Sequence, residues 1–210
     1  TSRVNEVSEL GINDMRISRK PTNPITLVTK GDLSLYFVGC GSGFAKTLHQ
    51  NNLLITKGSH HLLIDCGTRC SQALYEAGLH FSKIQNYLIT HSHADHIGGL
   101  EEVQLFARYV LQKKPNMVIN KTYEKILWEQ SLRGGSELSE KDPLTFSDLW
   151  NTQRPKKLSG YPRETFETNI GNINIKMPRT LHFPDNATSW RECAWSCGVV
   201  IDDRIFFTSD

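Results

Sequence analysis

Three histidines and an aspartate fall within six residues, at His91-Ser92-His93-Ala94-Asp95-His96. The chain has eight histidines in all, so this segment concentrates metal-ligand chemistry in one place. It follows the apolar run IQNYLIT and precedes Gly98-Gly99, which puts it on a turn between a strand and a helix. On such a turn His91 and His93 can face one side, and Asp95 and His96 a neighbouring one. Two divalent ions about 3.5–4 Å apart could then share the site. Imidazole nitrogen and carboxylate oxygen suit zinc, and also manganese or iron.

One turn cannot close a two-metal site, so further donors must come from distant segments. His182 is the only histidine after His96, and it reads as the end of the strand INIKMPRTLHF. Asp210 follows the apolar run IFF, where a carboxylate can bridge two cations with one oxygen to each.

This series resembles the metallo-β-lactamase superfamily. That family carries H-x-H-x-D-H after a strand, then a distant histidine, then an aspartate closing a later strand, then a last histidine. His91, His93, Asp95, His96, His182 and Asp210 match all but the last, since no histidine follows Asp210. The resemblance implies an α/β fold, a four-layer αββα sandwich, with its C-terminal strands and helix beyond the residues given. It implies one ion held by His91, His93 and His182, a second by Asp95 and His96, and Asp210 bridging them. Asp95 and Asp210 would then sit at the reacting centre. Asp65, in LLIDCG, is similar to the aspartate that supports the histidine turn in that family. A ligating imidazole usually donates its other N–H to such an acceptor.

The stretch LYFVGCGSG…NNLLI…HLLIDCG resembles the ribonuclease Z-like branch, through Phe37, Val38, Gly39, Gly41, Asn52, Asp65, Cys66 and Gly67. That branch includes tRNA-processing ribonuclease Z and cyclic-nucleotide phosphodiesterases, among them phage-type enzymes acting on cyclic pyrimidines. Ala94 stands where ribonuclease Z usually has glycine, and TRCSQAL departs from its corresponding run. A glycine- and proline-rich arm for gripping tRNA is absent from the sequence. Net charge is +2, with one small basic cluster at Arg154, Lys156 and Lys157. Neutralising RNA phosphates needs a larger clustered basic face. The expected activity is therefore hydrolysis of a small phosphodiester, such as a cyclic nucleotide, by a metal-bridging hydroxide. tRNA 3′-end processing, or hydrolysis of a carboxylic ester, thioester or lactone, are the alternatives. The proton donor for the leaving group is expected beyond Asp210 or from a second subunit, which makes a homodimer the one protein partnership anticipated.

The elements that must hold these residues read as follows. Residues 1–32 form a polar N-terminal extension, with Pro21 and Pro24 as breakers, and residues 33–210 the hydrolase domain. Leu33–Val38 is a strand, and NLLITKGSHHLLID is a hairpin turning at Lys57-Gly58-Ser59. Helices are read over RCSQALYEAGL and GLEEVQLFARYVLQKK, then over TYEKILWEQSL with a stop at Gly134-Gly135. NMVIN and NINIKMPRTLHF are strands, and SCGVVIDDRIFFTSD is a hairpin turning at Asp202-Asp203. Strands in hairpins interrupted by helices fit mixed α/β layers. The turn Gly39-Cys40-Gly41-Ser42-Gly43 lacks the spacing and the following apolar helix of a dinucleotide site. It reads instead as a tight turn that lets backbone pass close to a site.

Hydrophobic residues make up 38% and charged residues 22%, the balance of a soluble globule. No apolar run reaches the roughly 18 residues of a membrane span, and the first 30 residues lack a signal-peptide core. A cytoplasmic protein without membrane partners is the expectation. The five cysteines, at Cys40, Cys66, Cys70, Cys193 and Cys197, are too few and too scattered for a disulfide framework, and they read as buried free thiols.

Overall fold

The structure is a computed structural model that describes residues 24–210. Two sheets pack face to face. The first has the strand order β1-β2-β3-β4-β5-β6: Leu33–Gly39, Asn52–Lys57, His60–Ile64, Asn86–Leu88, Asn116–Val118 and Asn151–Gln153. Its β1, β2 and β3 are antiparallel, whereas β3 to β6 run parallel. The second sheet is antiparallel, in the order β11-β10-β9-β8-β7, from Lys156–Lys157 (β7), Thr165–Ile170 (β8), Ile173–Pro178 (β9), Val199–Ile201 (β10) and Ile205–Phe207 (β11).

The central strands read as continuous apolar runs because both faces of the first sheet are covered. Leu53, Ile55, Leu62 and Ile64 pack inward on Ile173, Ile175, Val199 and Ile201 of the second sheet. Alternate residues Leu54 and Leu63 turn to the opposite face, against a layer of helices. Those helices are α1 (Cys70–Glu76), α2 (Ala94–Ile97), α3 (Leu100–Phe106), α4 (Lys121–Leu127), α5 (Arg133–Ser136) and α6 (Phe146–Leu149). Their buried apolar residues, such as Leu74, Leu100, Leu127 and Leu149, all belong to this helix-side core. The described residues thus supply three layers, helix–sheet–sheet. The fourth, helical layer of the expected sandwich has no members among them.

Several sequence expectations need correction. The helix ending at Gly134-Gly135 does not stop there: α4 continues through a wider turn at Trp128–Leu132 into α5. The Glu101 carboxylate occupies the space a Cβ on Gly135 would need, so that glycine is a packing feature and no terminator. The strand holding Lys176 ends at Pro178, and His182 lies four residues further on, in a loop. Of the five free thiols only Cys66, Cys70 and Cys197 are buried. Cys40 is exposed, just past the end of β1. The hairpin turns at Asp202-Asp203 as expected, with φ of 51° and 53°, in a three-residue connection between the paired Ile201 and Ile205. The N-terminal extension falls mostly outside the described residues. Of its described part, Ile25 and Leu27 pack on the helix-side core, and Thr29 N–H donates to Gly58 O at 2.8 Å.

Candidate metal centre

The histidine turn leaves the end of β4 and enters α2. It is stitched to the end of β3 by Asp65 N–H to Leu88 O at 2.8 Å, Cys66 N–H to His96 O at 2.7 Å and Gly99 N–H to Cys66 O at 2.9 Å. The glycines around it allow close packing. A Cβ on Gly67 would overlap the Asp95 carbonyl, and one on Gly43 would lie 2.8 Å from Asp95 Oδ2. The Gly39–Gly43 turn therefore does bring backbone against this site, as its sequence suggests.

Two groups of donors converge here. His91, His93, His182 and Asp210 bring ligand atoms within 4.8 Å of one another, and so do Asp95, His96 and Asp210. In the first set His93 Nδ1 lies 2.9 Å from His91 Nε2 and 3.3 Å from His182 Nε2. Asp210 Oδ2 is 3.8 Å from both His91 Nε2 and His182 Nε2. In the second set His96 Nε2 is 3.3 Å from Asp95 Oδ2 and 3.3 Å from Asp210 Oδ1. Asp210 thus turns one oxygen to each set, so all six residues singled out by spacing come together.

Asp65 underlies both sets. It is fully buried, at φ +63°, a left-handed conformation that aspartate tolerates better than most residues. Its carboxylate accepts from Thr90 N–H at 2.8 Å, Thr90 Oγ1, Ser209 Oγ at 3.1 Å and His96 Nδ1 at 2.7 Å. The His96 proton is therefore on Nδ1, and Nε2 is left with a free lone pair. Because Thr90 Oγ1 donates to Asp65, His91 Nδ1 donates to Thr90 Oγ1 at 3.1 Å, and its Nε2 keeps a lone pair, facing His93 Nδ1 at 2.9 Å. Thr90 and Ser209 were not singled out by sequence. Their only signal is that each immediately precedes a ligand-type residue.

The electrostatics divide the imidazoles. Burial, then the neighbouring His96, His182 and His93, push His91 down to about 2. Burial likewise lowers His182, against the opposing pull of Asp210. For His96 burial works downward but is outweighed by Asp65, Asp210 and Asp95, and the net shift is upward. Buried His96 Nε2 has no hydrogen-bond partner. An orphaned acceptor of this kind, facing two carboxylates, fits a cation. The donor set of imidazoles and carboxylates is one that zinc, manganese or iron accepts.

Known structures share this frame. The metallo-β-lactamase fold protein YhfI from Bacillus subtilis superimposes with a TM-score of 0.59 at 16% identity, covering 83% of this chain and 60% of that one. A diphosphatase of the PhnP family does so at 0.54 and 15% identity, covering 81% of this chain and 62% of that one. The fold is that of the metallo-β-lactamases. Within it, a family model described as Anti-Pycsar protein Apyc1 matches residues 33–210, and the chain belongs to that family. Members from Bacillus phage BSP38 and Paenibacillus harenae are 37% and 35% identical over 179 and 178 residues, covering 82% and 85% of this chain. A member from Paenibacillus xerothermodurans is 40% identical over 178 residues, covering 85% of this chain. The chain spans 66% to 67% of the length of these three relatives.

Proposed function

We propose that the protein is a metal-dependent phosphodiesterase that opens cyclic nucleotides in the cytoplasm. The observation that carries this reading is the pair of donor sets sharing Asp210. Membership of the Anti-Pycsar protein Apyc1 family, together with the resemblance to cyclic-nucleotide phosphodiesterases, supports the substrate class. His91, His93 and His182 would hold one divalent cation, Asp95 and His96 the other, with Asp210 between them. Bound there, the two cations supply a water nucleophile at neutral pH and neutralise charge on the phosphoryl oxygens. The imidazole-rich first set favours zinc, with manganese or iron as substitutes.

The remaining work belongs to the chain. Asp65 and Thr90 keep the protons of His96 and His91 on Nδ1, so both Nε2 lone pairs would be available to the cations. Burial keeps His91 neutral at any physiological pH, so no proton competes for its Nε2. Ser209, at φ +64°, hydrogen-bonds Asp65 and Thr90 and thereby sets the adjacent Asp210. The basic cluster does not favour RNA: Arg154 pairs with Glu124, and Lys157 with Glu164 at 2.7 Å.

The test uses the full-length protein supplied with zinc or manganese and a 3′,5′-cyclic nucleoside monophosphate. Conversion to the linear monophosphate is expected, with His93→Ala abolishing turnover and lowering metal content by elemental analysis. Undiminished hydrolysis by the His93→Ala variant would overturn the reading.

A further inference from the structure

The loop 181–195 has no regular secondary structure, yet it is tightly fastened. Its neck is closed by Thr180 N–H to Ser196 O at 3.1 Å and Gly198 N–H to Pro178 O at 3.1 Å. Cys197 N–H donates to Thr90 O, which ties the neck to the histidine turn. The Arg179 side chain, 8% exposed, fills the base of the loop. Its Nε donates to Ser196 O at 3.1 Å, and its Nη2 reaches the carbonyls of Ala194, Cys193 and Trp190 at 3.1, 3.4 and 3.4 Å. The guanidinium also lies over the ring of Trp195 at 4.4 Å. A planar fork matched to several carbonyls and an indole face gives up little further freedom, so it holds the loop in one shape.

That shape presents Phe183. Its backbone carbonyl accepts from Ala194 N–H at 2.8 Å, and its ring packs edge-on against His93 with centroids 5.4 Å apart. Even so, Phe183 remains 51% exposed, and Leu181 on the other side of His182 is 48% exposed. A rigid aromatic face left open at the lip of a metal centre is poorly used by folding alone. It lies against His93, a member of the first donor set.

We infer that Phe183 is the platform on which the nucleobase of a cyclic nucleotide stacks while its phosphate lies on the two donor sets. This rests on the phosphodiesterase reading and adds a base-binding subsite to it. Every base has a π-face, so stacking on Phe183 grips purine and pyrimidine alike, with the strength following the area of the base. The ring does not need to touch the reacting phosphorus to do so.

The experiment compares two substrates on the full-length metal-loaded protein: a 3′,5′-cyclic nucleoside monophosphate, and the cyclic phosphate of ribose carrying a methoxy group in place of the base. The measured quantity is the ratio of their KM values in the parent protein and in Phe183→Ala, Phe183→Leu and Phe183→Trp. Alanine is expected to shift the ratio against the nucleotide by roughly five- to a hundredfold, the span of base–aromatic stacking. Leucine, which keeps apolar bulk, should give most of that shift, and tryptophan should restore the ratio. Metal content and circular dichroism report whether each variant is folded, and leucine carries the test should alanine unfold. An unchanged ratio, with both KM values moving together, would mean that Phe183 only props His93, and the inference would fall. Failure of the parent protein to cleave either cyclic phosphate would instead defeat the phosphodiesterase reading beneath it.

Discussion

His96 is fully buried and bonded to an equally buried Asp65, whereas His182 keeps 21% of its side chain in solvent on an irregular loop. The two donor sets share Asp210 but are built on different physics. The second set has two carboxylates to one imidazole, and its histidine is fixed by the network of Asp65, Thr90 and Ser209. The first has three imidazoles to one carboxylate, gathered from three separate stretches of chain. Burial lowers His91 and His182, while carboxylates raise His96. The second set is therefore part of what holds the fold together. The first adds His182 from an irregular loop to the buried His91, and the exposed ring of Phe183 sits on that side.

The largest effect should come from cutting the network under the second set. Asp65→Ala removes the acceptor for Thr90 N–H, Thr90 Oγ1, Ser209 Oγ and His96 Nδ1 together, and places alanine at φ +63°. Leaving buried donors unpaired should cost roughly 3–5 kcal/mol of stability in the metal-free protein. Asp65→Asn keeps the volume and suits the left-handed conformation, so its cost should be clearly smaller. Urea unfolding followed by circular dichroism measures both. A cost under about 1 kcal/mol for alanine would contradict the idea that this network belongs to the fold.

A smaller effect of a different kind is expected from the first set. His182→Ala removes a ring with 21% of its side chain in solvent from a loop anchored elsewhere by Arg179. Stability of the metal-free protein should move by less than about 1 kcal/mol, because the ring belongs to neither hydrophobic core. Metal binding should lose the first cation and keep the second, read by calorimetric titration with zinc. Loss of both cations, or of neither, would erase the distinction between the sets.

These two regions also differ in how far they could be read from sequence. The contiguous motif from His91 to His96 is legible because local spacing alone places its side chains on neighbouring sides of one turn. Asp65 is legible through its resemblance to the aspartate that supports the histidine turn, and because a ligating imidazole needs an acceptor for its other N–H. The apolar runs of β2 and β3 announce a sheet covered on both faces, and Asp202-Asp203 announces a tight hairpin. What sequence reading missed depends on long-range contacts. Gly134-Gly135 looks like a helix stop until Glu101 is known to lie over the helix. His182 looks like the end of a strand because the loop that carries it is fastened by one guanidinium to four backbone carbonyls, which no periodicity encodes. Thr90 and Ser209 are small hydroxyls whose importance appears only once Asp65 is between them.

The finest test of the contrast is titration of the two rings in the metal-free protein. An imidazole in the unfolded chain titrates near 6.5. His91, pushed down to about 2 by burial, binds fewer protons folded than unfolded across the interval from 6.5 down to about 2. Its contribution to stability is complete above that interval and is lost progressively as pH falls through it. His96 is shifted the other way, since Asp65, Asp210 and Asp95 overcome its burial. Its contribution is complete below 6.5 and is lost as pH rises through its raised value. Each proton involved changes stability by at most about 1.4 kcal/mol per pH unit. Imidazole resonances followed by NMR should show His96 titrating above 6.5 while His91 stays neutral down to at least about pH 4. Asp65→Asn should reverse His96, because burial then acts without its main opponent. If His96 in that variant still titrated above 6.5, Asp65 would not be what separates the two sets.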